Sequence, residues 1–339
     1  YDAGGRLSTR TDARGVKTEW IYDIYSRVSE IRRYQPGASQ PDPTQGEVYT
    51  YSSVGRLSSI RYGFDVNGSG SDTNGVTEYF GYTKAGVLKG RSLSWPSYRI
   101  GTLGVGYAYD ESTTKEGRPI SLRYPSYWDP QTSTTKQGLG LTFEYNEMGQ
   151  LRRVLDTDTQ AEVVRSAAYN AAGQLTQWER LSALPSGTML TESYDYNSRG
   201  QIFEHKMEVL PSNNSYIVRT KYWHDTAGDG TLRQREDLAT GETVDYTYNV
   251  LGQLTKAETT STEWGQSFVF DGFGNLTQQA VTKGSAPSMT LNVNPANNRV
   301  TGSGISYDAA GNLTCMLYNT IYYDLANRAS WVVGAGQYK

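Results

Sequence analysis

Two histidines, one cysteine and a dispersed set of carboxylates are the residues of this 339-residue chain that could carry out chemistry. A Ser-His-Asp triad would need His205 or His224 as its general base, because imidazole is the side chain whose ordinary pKa suits proton transfer near neutrality. His205 follows Phe203-Glu204 in a strand-like run, where a solvated strand position is expected. His224 falls in Lys221-Tyr222-Trp223-His224-Asp225, which reads as a turn. Two histidines do not make a His-rich metal site, and Cys315 alone makes no disulfide framework. Asp65-x-Asn67-x-Ser69-Gly70-Ser71 has the first half of a calcium loop, but Val76 stands where the bidentate acid belongs, so a Gly/Asn turn is expected there. Asp225-x-x-Gly228-Asp229-Gly230 is a weaker version of the same pattern. Carboxylate pairs for glycoside hydrolysis depend on distances that sequence does not display. Gly-x-Ser-x-Gly, HExxH, CxxC, P-loop and GxGxxG patterns are all missing. No catalytic, cofactor or metal residue is assigned, no cofactor is expected, and the chain is expected not to be an enzyme.

The elements that would have to position any such site are dominated by one heptad, Tyr-Asp-x-x-Gly-Arg/Gln/Asn-Leu. It is whole at Tyr1-Asp2-Ala3-Gly4-Gly5-Arg6-Leu7 and at Tyr307-Asp308-Ala309-Ala310-Gly311-Asn312-Leu313. Variants begin at Tyr22-Asp23, Tyr51, Tyr82, Tyr109-Asp110, Tyr145, Tyr169, Tyr196, Tyr248, Phe270-Asp271 and Tyr323-Asp324. The widest gap, Tyr196 to Tyr248, is expected to hold a degenerate copy around Tyr222-Trp223-His224-Asp225. Repeats of this size are stacked supersecondary units that bury their faces against one another.

Each heptad position has a mechanical reason. Val16, Thr18, Trp20 and Tyr22 alternate with Lys17 and Glu19, and Leu139, Leu141, Phe143 and Tyr145 and then Val244, Tyr246 and Tyr248 repeat that period of two, which means β-strand. The Asp or Asn accepts amide hydrogen bonds in the following turn. Gly5, Gly55, Gly149, Gly173, Gly200, Gly252, Gly274 and Gly311 are expected to take the positive φ that closes a hairpin. The Leu then restarts an extended run. Tyr22, Tyr51, Tyr145, Tyr169 and Tyr248 occupy equivalent places, so their rings are expected to stack in a lateral ladder. Trp95-Pro96-Ser97, Tyr124-Pro125-Ser126, Leu184-Pro185-Ser186 and Leu210-Pro211-Ser212 suit the far turns of the units. The aromatic-proline segments Trp95–Tyr98 and Tyr124–Trp128 could stack on sugars, but recurrence in phase with the heptads assigns them to packing.

Hydrophobic residues are 37% of the chain while Tyr reaches 27 copies and Gly 36, which argues against a thick apolar core and for a sheet wetted on both faces. With 32 basic and 35 acidic residues there is no electrostatic case for nucleic acid. No stretch reaches the roughly 20 apolar residues of a membrane span. The repeats run without a compositional break, so residues 1–339 are expected to be a single continuous all-β domain, and an opening in mid-repeat suggests a segment of a longer polypeptide.

The heptads at irregular spacing, with Tyr-Pro-Ser segments between them, resemble the YD-repeat or Rhs-repeat family: bacterial Rhs proteins, shell components of insecticidal toxin complexes, and teneurins. Tyr1, Asp2, Gly5, Arg6 and Leu7, and Tyr307, Asp308, Gly311, Asn312 and Leu313, match its pattern. The resemblance implies a spiral β-sheet, a solenoid-like hollow shell segment of stacked hairpins, in a secreted or cell-surface bacterial protein. It implies partners too: flanking repeats or copies of itself, and an enclosed C-terminal toxin polypeptide. The aspartate-containing autoproteolysis motif and variable toxin region of Rhs proteins do not occur before Lys339, and the chain is short beside family shells. The leading expectation is a non-enzymatic scaffold; its rivals are an adhesin-like repeat that binds glycans or neighbouring cells through aromatic loops, and, less favoured, a polysaccharide-active enzyme.

Overall fold

The computed structural model describes residues 1–63, 75–94, 102–110, 117–181, 188–209, 216–225, 228–316 and 319–334. Outside them fall the calcium-like stretch 65–71, the Trp95–Tyr98 platform, and the Pro185 and Pro211 turns. The described residues form β-strands and no helix, so no helix is long and apolar enough to cross a membrane. Twenty-two strands join one sheet, and every described register is antiparallel. Consecutive strands pair with each other, as hairpin turns of a few residues dictate.

The chain gathers into two compact units, Tyr1–Leu141 with Ser303–Lys339, and Thr142–Gly302. In the first, strands Thr9–Thr11, Lys17–Tyr22, Val28–Tyr34, Glu47–Tyr51, Leu57–Tyr62, Val76–Tyr82, Leu88–Ser94, Thr102–Tyr109 and Pro119–Arg123 each pair with the next. A separate four-stranded sheet, from Ser306–Tyr307 to Ala329–Val333, belongs to the same unit. It is tied to the first hairpin through Arg14, whose guanidinium donates to the carbonyls of Asp324 at 3.0 Å and Leu325 at 3.4 Å. The second unit is a meander from Leu151–Asp156 to Met289–Thr290.

Composition explains the thin interior. Buried apolar side chains are few among the described residues: Val16 and Tyr34 in the first unit, and Val154, Leu155, Val164, Met189, Leu190, Val244 and Ala257 in the second. Among the described residues only Val244 and Thr259 are almost wholly enclosed. Much of the cohesion must therefore come from strand ladders and specific polar contacts.

Tyr124-Pro125-Ser126 does not form a simple far turn. It leads from Pro119–Arg123 into a two-stranded ribbon, Tyr127–Asp129 against Thr134–Lys136. Proline cannot donate to a ladder, so the main sheet is left at this point.

Candidate functional site

The heptad builds one turn repeatedly. In the first copy, Asp2 N–H donates to Arg6 O at 2.9 Å and Gly5 N–H to Asp2 O at 3.0 Å. The Asp2 carboxylate accepts from the amides of Gly4 and Arg6, both at 2.9 Å, and pairs with the Arg6 guanidinium at 2.6 Å. The same backbone bonds close the turns at Asp23, Ser52, Thr83, Asn146, Asn170, Asn197, Asn249, Asp271, Asp308 and Asp324. After Tyr109, Asp110 N–H reaches Arg118 O across a longer loop. The eight turn glycines all have positive φ, from 74° at Gly5 to 93° at Gly311, as the hairpin reading requires. Ser26 and Asn327 hold the same place with φ of 61° and 67°.

The second and sixth positions are chosen as a pair. Asp2, Asp23 and Asp324 bind Arg6, Arg27 and Arg328; Asp271 and Asp308 accept from the amides of Asn275 and Asn312. Where position two is Asn146, Asn170, Asn197 or Asn249, position six is Gln150, Gln174, Gln201 or Gln253, and the Asn amide donates to the Gln oxygen. A carboxylate only accepts and so needs a donor, whereas an Asn that also donates can be matched by an amide acceptor. The Arg6 bond holds the Asp2 carboxyl below its ordinary range, and the Asn275 amide does the same for Asp271.

Position six also reaches the next repeat. Arg56 donates to Thr83 O at 2.8 Å, Gln174 to Gly200 O at 2.7 Å, Gln201 to Gly230 O at 2.8 Å and Asn312 to Asn327 Oδ1 at 2.5 Å. The Arg6 and Arg27 guanidinium carbons lie 4.5 and 4.2 Å from the ring centroids of Tyr22 and Tyr51, the next repeat tyrosines, with Arg56 5.9 Å from Tyr82. The tyrosine completes the lock: its hydroxyl donates to the position-seven carbonyl of the repeat before. This holds for Tyr22 to Leu7, Tyr51 to Val28, Tyr109 to Leu88, Tyr169 to Leu151, Tyr196 to Leu175 and Tyr323 to Leu313, between 2.7 and 3.0 Å. A shift in strand register directly before the tyrosine accompanies the turn, as at Ile21/Tyr22 and Asp195/Tyr196.

Two expectations need correction. The ladder does not run ring on ring: the described ring pairs are Tyr194–His205 and Phe203–Trp223, and at Tyr22 and Tyr51 an arginine occupies the face a neighbouring ring was expected to cover. The position-six side chain spans from turn to turn, which a ring cannot do while its hydroxyl reaches back to a carbonyl. Second, His205 is not a solvated strand residue; it is half-buried and stacked 4.9 Å from Tyr194, with Nε2 unpartnered. The degenerate copy is real and centred one step later than Tyr222-Trp223: His224 stands in the tyrosine place, Asp225 N–H closes the turn on Thr231 O, and Gly230 has φ of 79°.

The buried carboxylates among the described residues, Glu47, Glu78, Glu192 and Glu204, are already engaged, Glu204 by Arg219. Glu192 accepts from Trp178 Nε1 at 2.7 Å, Arg180 at 2.6 Å and Tyr194 Oη at 2.8 Å; burial alone would raise its pKa, and these donors hold it low. Glu47 is met by Arg33 and Tyr49, and Glu78 by Tyr62 and Arg91. Glu192 is thereby held in the ionised form, unlike the raised carboxyl a glycosidase needs as its acid. Among the described residues no three His, Cys, Asp or Glu side chains gather to hold a metal ion. The chemical character of the site is thus a chain of mechanical locks. The role of position six is not evident from any single heptad; the signal lies in its pairing with position two, Arg or Asn with Asp and Gln with Asn, to which Val87 after Thr83 is an exception.

No family model matches the chain, and no curated protein does. Solved structures do. The chain aligns over 100% of its length with 18% of a chain of the Photorhabdus luminescens Tc holotoxin pore carrying a TccC3 mutation, at 15% identity and a TM-score of 0.74. Over 100% of its length it also aligns with 18% of a chain in the crystal structure of TcdB2-TccC3, at 16% identity and a TM-score of 0.73. A crystal structure of TcdB2-TccC3 without its hypervariable C-terminal region gives 0.71. The chain spans under a fifth of those chains and shares their YD-repeat, Rhs-type β-sheet fold.

Proposed function

We propose that this chain is a non-enzymatic segment of a YD-repeat shell, one continuous run of repeats over residues 1–339 that encloses or presents a polypeptide in a secreted or surface-exposed bacterial protein. The observation that carries the reading is the recurring inter-repeat lock, Tyr22 to Leu7 through Tyr323 to Leu313, which commits the most distinctive residues of the chain to holding one strand pair on the next. The fold shared with toxin-complex chains supports the same role. The partners are further repeats, which cover unpaired strand edges, and an enclosed toxin polypeptide.

Protease protection tests the reading on the full-length polypeptide that carries these residues. An enclosed segment survives digestion under native conditions and is degraded once the repeats are unfolded. Cleavage of that segment at the same rate with and without the repeats would overturn enclosure. Turnover in a screen of hydrolase, transferase and redox substrates, abolished by changing one acidic pair, would overturn the scaffold.

A further inference from the structure

The first unit contains a cavity of about 380 Å³ where the turn tips Ala309-Ala310 and Leu325–Asn327 lean against the first hairpin. Its lining is asymmetric in hydrogen-bonding capacity. Three of its charged groups are already engaged. Asp12 accepts from the amides of Arg14 and Val16 and from the Arg14 guanidinium. Arg14 caps the carbonyls of Asp324 and Leu325, and Arg33 is bound to Gln45 O and Glu47. The side chains of Arg10 and Trp20, by contrast, form no hydrogen bond or ion pair with a described residue, although their backbones are held in the ladder. Arg10 lies across from Thr18, and Trp20 is two residues further along that strand, so all three side chains share one sheet face. The unused capacity is an indole N–H, a guanidinium and a hydroxyl, beside the apolar surfaces of Val16 and Leu325.

Elsewhere in this molecule the same donor pair has an occupant. Trp178 Nε1 and Arg180 together hold the Glu192 carboxylate at 2.7 and 2.6 Å, and Trp264 Nε1 at 2.9 Å and Arg235 hold Glu242. In the cavity the donors are present and no carboxylate of the described chain fills them. We infer that this cavity is a binding site for a carboxylate borne on an apolar body, with Arg10 and Trp20 as its anchors. A guanidinium takes a carboxylate through charge-assisted hydrogen bonds, and the indole N–H can only donate, so the pair selects an acceptor. The carboxylate can come from a free small acid or from an acidic side chain of a polypeptide.

Titration of the ¹⁵N-labelled 339-residue chain distinguishes these sources, with the Trp20 indole resonance assigned by its loss in Trp20→Phe. The probes are 3-phenylpropionate, its neutral amide, and the peptide acetyl-Leu-Glu-Leu-amide. Expected is a saturable shift of the Trp20 resonance by the acid, the peptide or both; the one that binds more tightly identifies the source. Arg10 is exposed, so Arg10→Gln should keep the native thermal midpoint and weaken binding by about tenfold, and calorimetry on Trp20→Phe should show a similar loss. The site is refuted if no probe shifts the resonance at about 10 mM, if the neutral amide binds as well as the acid, or if Arg10→Gln binds like the native chain.

Discussion

The hydroxyl of Tyr22 donates to the backbone carbonyl of Leu7 at 2.8 Å, while the Arg6 guanidinium lies over the Tyr22 ring at 4.5 Å. Leu7 and Arg6 belong to one heptad and Tyr22 to the next, so a single side chain reads both the turn and the strand restart of its predecessor. The same hydroxyl bond recurs five more times among the described residues.

Removing one hydroxyl should therefore have a local and repeatable cost. Tyr169→Phe and Tyr196→Phe each delete a bond to a partly buried carbonyl, at Leu151 and Leu175, and should destabilise the chain by about 1 kcal/mol each. Chemical denaturation with an unchanged slope checks this. No change in midpoint in either variant would show that water replaces the hydroxyl at no cost.

Two repeats lack the hydroxyl by sequence. His224 and Phe270 stand in the tyrosine place, opposite Leu232 and Leu276 in the shifted register. His224→Tyr and Phe270→Tyr should gain the bond to Ile202 and Leu254 and stabilise by up to about 1 kcal/mol. In His224→Tyr the unpartnered Nδ1 is also removed. A fall in thermal midpoint in both variants would contradict the equivalence of these positions.

The turn glycines can be separated from packing at Gly252. Its φ is 75° and nothing lies within 4 Å of where a Cβ would stand, so Gly252→Ala meets only the left-handed backbone penalty. The cost should be on the order of 1–2 kcal/mol. A neutral result at Gly252 would mean the turn relaxes to another form.

Acid should loosen the repeats unevenly. The side-chain bonds of Arg6 to Asp2 and Asn275 to Asp271 lower those carboxyls in the fold; at Asp23 burial pushes upward and the Arg27 bond outweighs it. A folded pKa below the unfolded one, near 3.9 for Asp, gives stability that is complete above that value and is lost as pH falls through the folded pKa. Thermal midpoints should hold from neutrality to about pH 4 and then decline. Amide exchange below that point should open the Asp2, Asp23 and Asp271 turns before the Asn-Gln turns at Asn170 and Asn197, which have no proton to gain. Simultaneous opening of all turns would refute the uneven response.

The sequence by itself determined the local structure of this protein. A Tyr at the end of an alternating run, an Asp or Asn next, and a Gly three residues after that are sufficient for strand, turn and left-handed closure, because those constraints act within a few residues along the chain. The all-β class, the positive φ at Gly5 through Gly311 and the displaced repeat near His224 were legible for that reason. Contacts between repeats were not. Whether Tyr22 meets another ring or an arginine depends on how far one hairpin is offset from the next, and that offset is set when Arg6, Leu7 and Tyr22 compete for the same space. The unfilled donors of Arg10 and Trp20 were hidden for the same cause: a lone indole and a lone guanidinium are ordinary in sequence. Only the arrival of Leu325 and Asn327 from some 300 residues away turns them into a walled site.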